Sequence, residues 1–562
     1  MPNGAELFVN AVAQLGISHV FTLVGDHLNE VLAIAAREQI QIIDMRHESG
    51  VTHAADAWAR LHRRPAVSLV TGGPGHTNSL TGIATANLAG SPLIAVSGTL
   101  ASTLRDRGGF QDIDQVSMAR PVVKWAAQPP APGQIPFYLA RAYAEANSGR
   151  KGVVHLTIPV DFFTGQASAA EAPPRIDIAP PAPNGAEIDR AIAMLSSAQR
   201  PLVIAGSGVW WSGAEGELRE FIETASLPLY TITMARGVVP DTHPLCMGYA
   251  DPALNRAALQ AYQDADLILV IGKRLDYRLG LGGERVFPAG TRFIQVDIHA
   301  SELGMNRRLE AGICADAKAT LRIFTEGWSS RADLSGWVRH LHTLKEDWER
   351  TVARAANDGT SPLHPAAFFR ELKGALPPGV LYSWDGGDFV HWGRVSLPAL
   401  QPGGWLRLGP LGTIGSSLPN GIALQLANPG KPVAVITGDG ALGFYLVEME
   451  TAVRLRLPIV LIVGNDAGWG LERELQKAAG AQTRETVGAE LSSARYDAIM
   501  QAFGGGGETI KSLDQVGPAV TRAFRSGMPY CLNVKIRGAR SPFTDWQIAG
   551  KRNSRRPDLL PP

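Results

Sequence analysis

Asp439 and the Asn465-Asp466 pair are the residues whose types and spacing could do chemistry. Asp439 stands in Ile436-Thr437-Gly438-Asp439-Gly440, at the end of an apolar run. A helix-like stretch follows, then a second apolar run, Ile459 to Val463, that ends in Gly464-Asn465-Asp466-Ala467-Gly468. An apolar strand ending in Gly-Asp-Gly puts a carboxylate and uncovered backbone N–H groups at the mouth of a helix, and a helix N-terminus is an anion site. A carboxylate beside such a site suits Mg²⁺, which is held by diphosphate oxygens and one or two carboxylates. The second run delivers another oxygen ligand at its tip. Gly-Asp-Gly alone would read as a strand-turn-helix with a capping Asp, because short glycine motifs recur by chance. The second tip at this spacing favours a magnesium-diphosphate clamp.

A distant acid strengthens that reading. Glu48 follows the apolar Ile40, Ile42 and Ile43 and opens a small-residue helix, Val51 to Ala59. A lone Glu in a first helical turn ordinarily serves the helix dipole. In a low-dielectric pocket it would instead carry a raised pKa and exchange a proton with a ligand.

Together these patterns resemble the thiamine diphosphate (ThDP)-dependent enzymes. Their GDG…NN signature is similar to the segment from Gly438 to Asp466, and their RHE motif is similar to Arg46-His47-Glu48. The resemblance covers essentially the whole chain and points to the group that contains acetolactate synthase, benzaldehyde lyase, oxalyl-CoA decarboxylase and 2-hydroxyacyl-CoA lyase. It implies Mg²⁺ on Asp439, Asp466 and the carbonyl of Gly468, with Asp466 standing where the family usually has Asn. It also implies that Glu48 hydrogen-bonds the coenzyme's aminopyrimidine. Gly440 and Ala441 would donate N–H groups to the diphosphate, and Gly387 and Asp388 would form a second diphosphate loop. Ile414 would prop the bent coenzyme, the Gly412 carbonyl would receive its amine, and Pro74, Asn78, Trp469 and Gly470 would line it. Core packing is the alternative for Ile414. A side chain as acidic as Asp388 is awkward in that loop unless it points away.

Two polar residues are expected to face the substrate, His27 after the first strand and Gln111 in Gly109-Phe110-Gln111. Benzaldehyde lyase has a His and a Gln at matching positions. A loop His is more often a surface residue, but the carboxyl end of a strand is where open α/β sheets bind ligands.

The elements that must position these groups alternate apolar runs with helical patterns, which predicts α/β architecture: three doubly wound parallel-sheet domains. The expected divisions are a pyrimidine-binding domain over 1–166, an Ala/Pro-rich linker over 167–185, a middle domain over 186–330 and a charged helix over 331–360. A diphosphate-binding domain over 361–540 and a tail or lid over 541–562 complete the chain. Strands are expected at Ser18–Leu23, Ala66–Val70, Leu93–Ser97, Val153–Ile158, Leu202–Ala205, Leu267–Gly272, Phe293–Asp297, 380–382, 433–437, 459–463 and 532–536.

Net charge is only +1, so no general affinity for nucleic acid is implied. The three cysteines, Cys246, Cys314 and Cys531, match no zinc or redox spacing and read as buried thiols of a reducing compartment. No basic-then-apolar leader and no run of membrane-spanning length is present, so the expectation is a cytoplasmic enzyme without a membrane partner.

The resemblance further implies a homodimer or homotetramer with ThDP at the subunit interface, Glu48 from one chain meeting Asp439 of another. The segment Thr231 to Pro244 is similar to 2-hydroxyacyl-CoA lyase and oxalyl-CoA decarboxylase, whose middle domains bind nucleotides. Gly206, Arg236, Arg274, Asp297, Arg540 and Ser541 are therefore candidate CoA or ADP contacts, FAD being the less favoured occupant. Turns and a surface ion cluster are the alternative. The expected activity is reversible cleavage of a 2-hydroxyacyl-CoA to formyl-CoA and an aldehyde or ketone. Benzoin-type carboligation, acetolactate synthesis from free 2-oxo acids and a non-enzymatic nucleotide-binding scaffold are the alternatives.

Overall fold

A computed structural model describes residues 1–168, 179–329, 333–479 and 486–554. Among the described residues eighteen strands form three six-stranded sheets. The first holds β1 (His19–Thr22), β2 (Gln41–Asp44), β3 (Ala66–Val70), β4 (Leu93–Thr99), β5 (Trp125–Ala127) and β6 (Val153–Pro159), in the order β2-β1-β3-β4-β6-β5. The second holds β7 (Pro201–Ala205), β8 (Leu229–Thr231), β9 (Cys246–Tyr249), β10 (Leu267–Ile271), β11 (Arg292–Asp297) and β12 (Ala311–Cys314), in the order β12-β11-β10-β7-β8-β9. The third holds β13 (Leu381–Trp384), β14 (Trp405–Arg407), β15 (Val433–Gly438), β16 (Ile459–Asn465), β17 (Gly506–Ile510) and β18 (Tyr530–Lys535), in the order β14-β13-β15-β16-β18-β17.

The sheets are parallel and flanked by helices, as the alternation predicts. The central strands are buried along their whole length: β3, β4, β6, β7, β10 and β16 expose no residue. Continuous apolar runs are what a sheet covered on both faces requires. In the first sheet Phe8, Val12, Ile94 and Leu156 share one apolar cluster, and in the third Phe369, Trp384, Ile436 and Ile462 share another. Helix Ser335–Ala355 occupies the charged segment as predicted.

Each sheet reverses its strand order once near the middle, between β1 and β3, β10 and β7, and β13 and β15. At such a switch point the two following loops turn opposite ways and leave a crevice at the strands' carboxyl ends. His27 and Thr71-Gly72-Gly73 follow β1 and β3, Asp385 to Asp388 and Asp439-Gly440 follow β13 and β15, and Gly272 and Gly206 follow β10 and β7. The chemistry-bearing segments thus occupy crevices that topology creates.

By contacts the chain divides into two compact units, Met1–Ile178 with Arg407–Val433 and Leu442–Ile459, and Ala179–Leu406 with Ala434–Ala441 and Val460–Pro562. Glu48 belongs to the former and Asp439 to the latter. No helix among the described residues is long and apolar enough to cross a membrane. Cys246 and Cys531 are buried as expected, but Cys314 is exposed at the end of an edge strand.

The segment expected as a tail or lid is helical over its first part. Pro542–Ser554 is a helix, and Arg555 and Arg556 lie outside the described residues. Its His391-facing Phe543 stacks at 4.3 Å, and Trp546 meets the guanidinium of Arg285 at 3.9 Å. Aromatic and cation–π contacts, rather than an amphipathic stripe, hold it, which is why apolar periodicity gave no sign of it.

At the middle switch point Gly208 lies against Gly272, with no room for a Cβ on either. Gly208→Ala is expected to cost about 2 kcal/mol of stability by overpacking backbone on backbone. Chemical denaturation reads it, and an unchanged midpoint would show that this crossing relaxes freely.

Candidate active site

Glu48 opens the helix Glu48–His62, capped by the His47 ring, which accepts from Ser49 N–H. Its carboxyl is 9% exposed, and Oε2 accepts from Asn78 Nδ2 at 3.0 Å. Oε1 faces Gly75, where a Cβ would stand 3.6 Å away. The Asn78 amide therefore holds one oxygen and leaves the other beside a bare glycine. Pro74 starts the helix Pro74–Ala89 that carries Asn78. In the same unit Thr413 is tied to that helix by its hydroxyl, 2.7 Å from Thr85 Oγ1. This places the turn of Gly412 (φ 78°) and half-buried Ile414 beside it.

Sequence reasoning missed Glu448. It is fully buried in the unit of Glu48, accepts from Arg46 N–H at 3.2 Å and from Thr451 Oγ1 at 2.7 Å, and packs against Gly50. It thus fixes the turn that presents Glu48. Burial pushes its carboxyl up to about 7. A run reading Val-Glu-Met-Glu offers no signal for this, since its Arg46 partner lies 402 residues away in sequence.

The structure brings His27 and Gln111 to one loop. His27 is buried, with Nδ1 2.8 Å from Thr71 Oγ1 and accepting from Gly72 N–H at 3.1 Å. A backbone N–H can only donate, so Nδ1 is an acceptor and the proton of the neutral ring sits on Nε2. Burial lowers the His27 pKa and keeps the ring neutral. Next in the loop, Gly73 (φ 60°) lies against Gln111 (φ 63°): a Cβ on Gly73 would come 2.7 Å from that of Gln111. Gln115, another residue not foreseen, accepts from Gly73 N–H at 2.9 Å and donates to the Gly98 carbonyl at 3.0 Å, which braces the loop from below.

The second unit holds the clamp. Asp439 is 2% exposed, with Oδ1 accepting from Gly440 N–H at 2.9 Å and Oδ2 from Gly468 N–H at 3.1 Å. The two strand tips are thereby joined. Trp469 covers Gly440, where a Cβ would lie 2.8 Å from the ring, and Gly470 leaves room for Asp466 Oδ2, 2.6 Å from where its Cβ would be. Asn465 turns inward and bonds Asn533 and the Ala494 carbonyl, so Asp466 alone of the pair serves the site. Burial raises the Asp439 carboxyl above the usual range, and burial followed by Asp439 pushes Asp466 up to about 7. Arg473, whose Nη1 meets Asp466 Oδ2 at 3.2 Å, offsets the two neighbouring acids only in part. Their carboxylates and the nearby Gly468 carbonyl are hard oxygen donors, a set that fits Mg²⁺. Ala441 continues the short helix Asp439–Leu442, whose N-terminus begins at the acid.

Gly387 (φ 92°) ends the loop after β13, and Asp388 starts the helix Asp388–Ser396. The difficulty foreseen for Asp388 resolves in its bonds. Oδ1 accepts from Ser541 N–H at 2.9 Å and from Thr544 Oγ1. Oδ2 is buried without a partner among the described residues.

The candidate CoA contacts are not brought together as a set. Gly206, Arg274 and Asp297 follow or end the adjacent strands β7, β10 and β11. Arg236 is withdrawn from any ligand: it is 2% exposed, ion-paired with Asp241 and within 5.1 Å of the Trp405 ring. Ser541 is fully buried, and Arg540 bonds Glu474 at 2.6 Å. Desolvating a guanidinium demands a carboxylate partner, which Arg236 has in Asp241, whereas Arg540, 47% exposed, keeps its pair with Glu474 at the surface.

Comparison with known proteins bears on the whole chain. The profile described as "Thiamine pyrophosphate enzyme, N-terminal TPP binding domain" matches residues 2–118, the central-domain profile 188–324 and the C-terminal TPP binding domain profile 385–534. The chain is 35% identical over 556 residues to "Acetolactate synthase large subunit IlvG" of Mycobacterium tuberculosis, covering 98% of this chain and 97% of the relative. It is 32% identical to "2-hydroxyacyl-CoA lyase 1" of Mus musculus (95% and 94% covered) and 29% identical to "Oxalyl-CoA decarboxylase" of Escherichia coli K12 (95% of each).

Glu448 yields a pH prediction. Its folded pKa, about 7, stands above the ordinary 4.5, so the folded state binds the extra proton between those values. The stability this contributes is complete below pH about 4.5 and is lost as pH rises through 7. The shift corresponds to about 3 kcal/mol at most. Glu448→Gln should remove that decline, so the difference in melting temperature between wild type and variant should drift across pH 4.5–7.5. A constant difference would mean that the carboxyl is already ionised.

Proposed function

The chain belongs to the thiamine diphosphate-dependent enzymes, in the group that includes acetolactate synthases, and from that premise we propose a carbon–carbon lyase that cleaves a 2-hydroxyacyl-CoA to formyl-CoA and an aldehyde or ketone, reversibly. The observation that carries this reading is the 32% identity to 2-hydroxyacyl-CoA lyase 1 over nearly the whole chain; His27 and Gln111, from two segments that meet beside Gly72 and Gly73 in the unit that also holds Glu48, supply polar groups that suit it and the carboligase reading alike.

Asp439, Asp466 and the Gly468 carbonyl would hold Mg²⁺. Gly440, Ala441 and the Gly387–Asp388 loop would hold the diphosphate, with Trp469 and Gly470 at its edge. ThDP supplies, when bound, the nucleophilic carbon and the electron sink. Glu48 would exchange a proton with the coenzyme through Oε1, while Asn78 keeps Oε2 occupied. Gly412 and Ile414 would shape the pyrimidine end.

His27 then acts as a hydrogen-bond donor rather than a base. With Nδ1 accepting from Gly72, its Nε2–H donates to the substrate's 2-oxygen. Such a donor steadies charge that develops on oxygen in the transition state. Gln111 offers an amide to the same region, and a water it holds is the remaining candidate for the base that takes the hydroxyl proton. Two copies of the chain would complete the site, one offering Glu48 and the other the clamp. Exposed apolar side chains in the Glu48 unit, Phe110 and Phe444 among them, fit such burial.

A second reading, carboligation or synthesis from free aldehydes or 2-oxo acids, is favoured by one observation: Arg236 and Ser541 spend their polar groups inside the protein. The CoA reading retains Gly206, Arg274 and Asp297 at the middle switch point, where ADP or, less favourably, FAD could also sit.

Incubation with ThDP, Mg²⁺ and either 2-hydroxyacyl-CoAs or free 2-oxo acids, with products identified by mass, separates the two; formyl-CoA is the expected product. Formation of acetolactate or benzoins alone would overturn the thioester reading. Glu48→Gln should lower turnover at least about a hundredfold with an unchanged melting temperature. His27→Phe, which removes the Nε2 donor, should cut kcat by about ten- to a thousandfold; a variant equal to wild type would remove His27 from the chemistry.

A further inference from the structure

A second charged residue is built into the metal loop. We infer that Arg473 is a resident counter-charge of Asp466, so that the loop holds a divalent ion firmly only when the ion arrives with a diphosphate. This rests on the proposed ThDP and Mg²⁺ site.

Two acids at one metal position create a problem that one acid does not. Asp439 and Asp466 together would trap a bare cation and repel an incoming diphosphate, because like charges a few ångströms apart repel strongly at low dielectric. Arg473 answers both effects. It lies in the first turn of the helix Gly470–Ala479, its N–H bonded to the Trp469 carbonyl at 2.9 Å. This turns its side chain back over the loop. Nη1 meets Asp466 Oδ2 at 3.2 Å. Nη2 donates to the backbone carbonyls of Asp466 at 3.2 Å and Ala467 at 2.7 Å.

These bonds distinguish Arg473 from a surface ion pair. Its side chain is 14% exposed and that of Asp466 10%. Its Nε is buried without a partner among the described residues. It lies so close to Gly468 that a Cβ there would collide with the guanidinium. Its other acid, Glu490, meets Nη2 at 2.9 Å but is 65% exposed, so solvent screens that contact. The Arg473 fork thus clamps the loop that offers Asp466 and Gly468, and places one positive charge against the second acid.

The sign of the effect separates charge compensation from mere support. Removing the cation should leave two uncompensated acids that bind free Mn²⁺, a spectroscopic substitute for Mg²⁺, more tightly. Loss of support alone would loosen the loop and weaken binding.

The experiment titrates the ThDP-free protein with Mn²⁺ and counts free ion by electron paramagnetic resonance, then repeats the titration with ThDP. Wild type should bind Mn²⁺ weakly alone and tightly with ThDP. Arg473→Gln should tighten binding of bare Mn²⁺ roughly tenfold and shrink the gain from ThDP. The Asp466→Asn/Arg473→Gln double variant should return bare binding to within about twofold of wild type, because coupled partners are non-additive. Arg473→Lys keeps the charge without the fork and should stay weak; it decides the matter if the Gln variant has a lowered melting temperature. Bare Mn²⁺ binding that is unchanged or weaker in Arg473→Gln, or an equal effect of that change in the Asp466→Asn background, would overturn the inference. A wild type that shows no ThDP-dependent Mn²⁺ uptake would instead strike the coenzyme site itself, and the inference with it.

Discussion

A carboxylate buried at the end of a parallel strand is the constraint on which the clamp depends. Asp439 has almost no exposure, and a desolvated acid survives only if hydrogen bonds or a cation satisfy it. Gly440 N–H and Gly468 N–H supply the bonds, and in doing so they tie the tip of β15 to the tip of β16. The ladder of β16 and β18 extends the tie: Asn465 pairs with Lys535 in register and its side chain bonds Asn533. Glycine at both tips lets backbone approach an acid that a side chain would push away. The positions of Asp466, Trp469 and Arg473 all follow from that loop.

Burial also explains which parts were legible in the sequence. β3 was read to its last residue, and β4, β6, β7, β10 and β16 to within two, because a strand covered on both faces must be apolar throughout. β17 escaped notice because Gly506, Gly507 and Glu508 give it neither a continuous apolar run nor strict alternation, and it lies at a sheet edge. β14 is three residues long. Glu48 and Asp439 were readable because each interrupts an apolar stretch with a charge that needs a reason to be there.

Other site residues carried no such mark. Glu448 and Gln115 act through backbone groups, and nothing in a neighbouring residue's type shows which backbone amide an acid or amide will reach. Arg236 shows the opposite failure. As a sequence letter it is a cation free for phosphate, but Asp241 lies within reach and the Trp405 and Tyr249 rings face it. Whether an arginine is available to a ligand depends on partners that only the fold assembles.

Asp388 shows how an apparent misfit can be the informative residue. An acid beside a diphosphate loop is unfavourable when it points at phosphate, yet here Oδ1 is bonded to Ser541 N–H and Thr544 Oγ1. The bonds commit Oδ1 to the C-terminal segment and anchor the start of the helix Pro542–Ser554. His391, one turn along from Asp388, takes Phe543 against its ring, and Trp392 Nε1 donates to the Ala539 carbonyl at 3.3 Å. The same short helix therefore begins beside Gly387 of the candidate diphosphate loop and grips the helix Pro542–Ser554. Any displacement of that helix is transmitted to both, so the C-terminal helix is mechanically coupled to the candidate loop rather than an appendage to it.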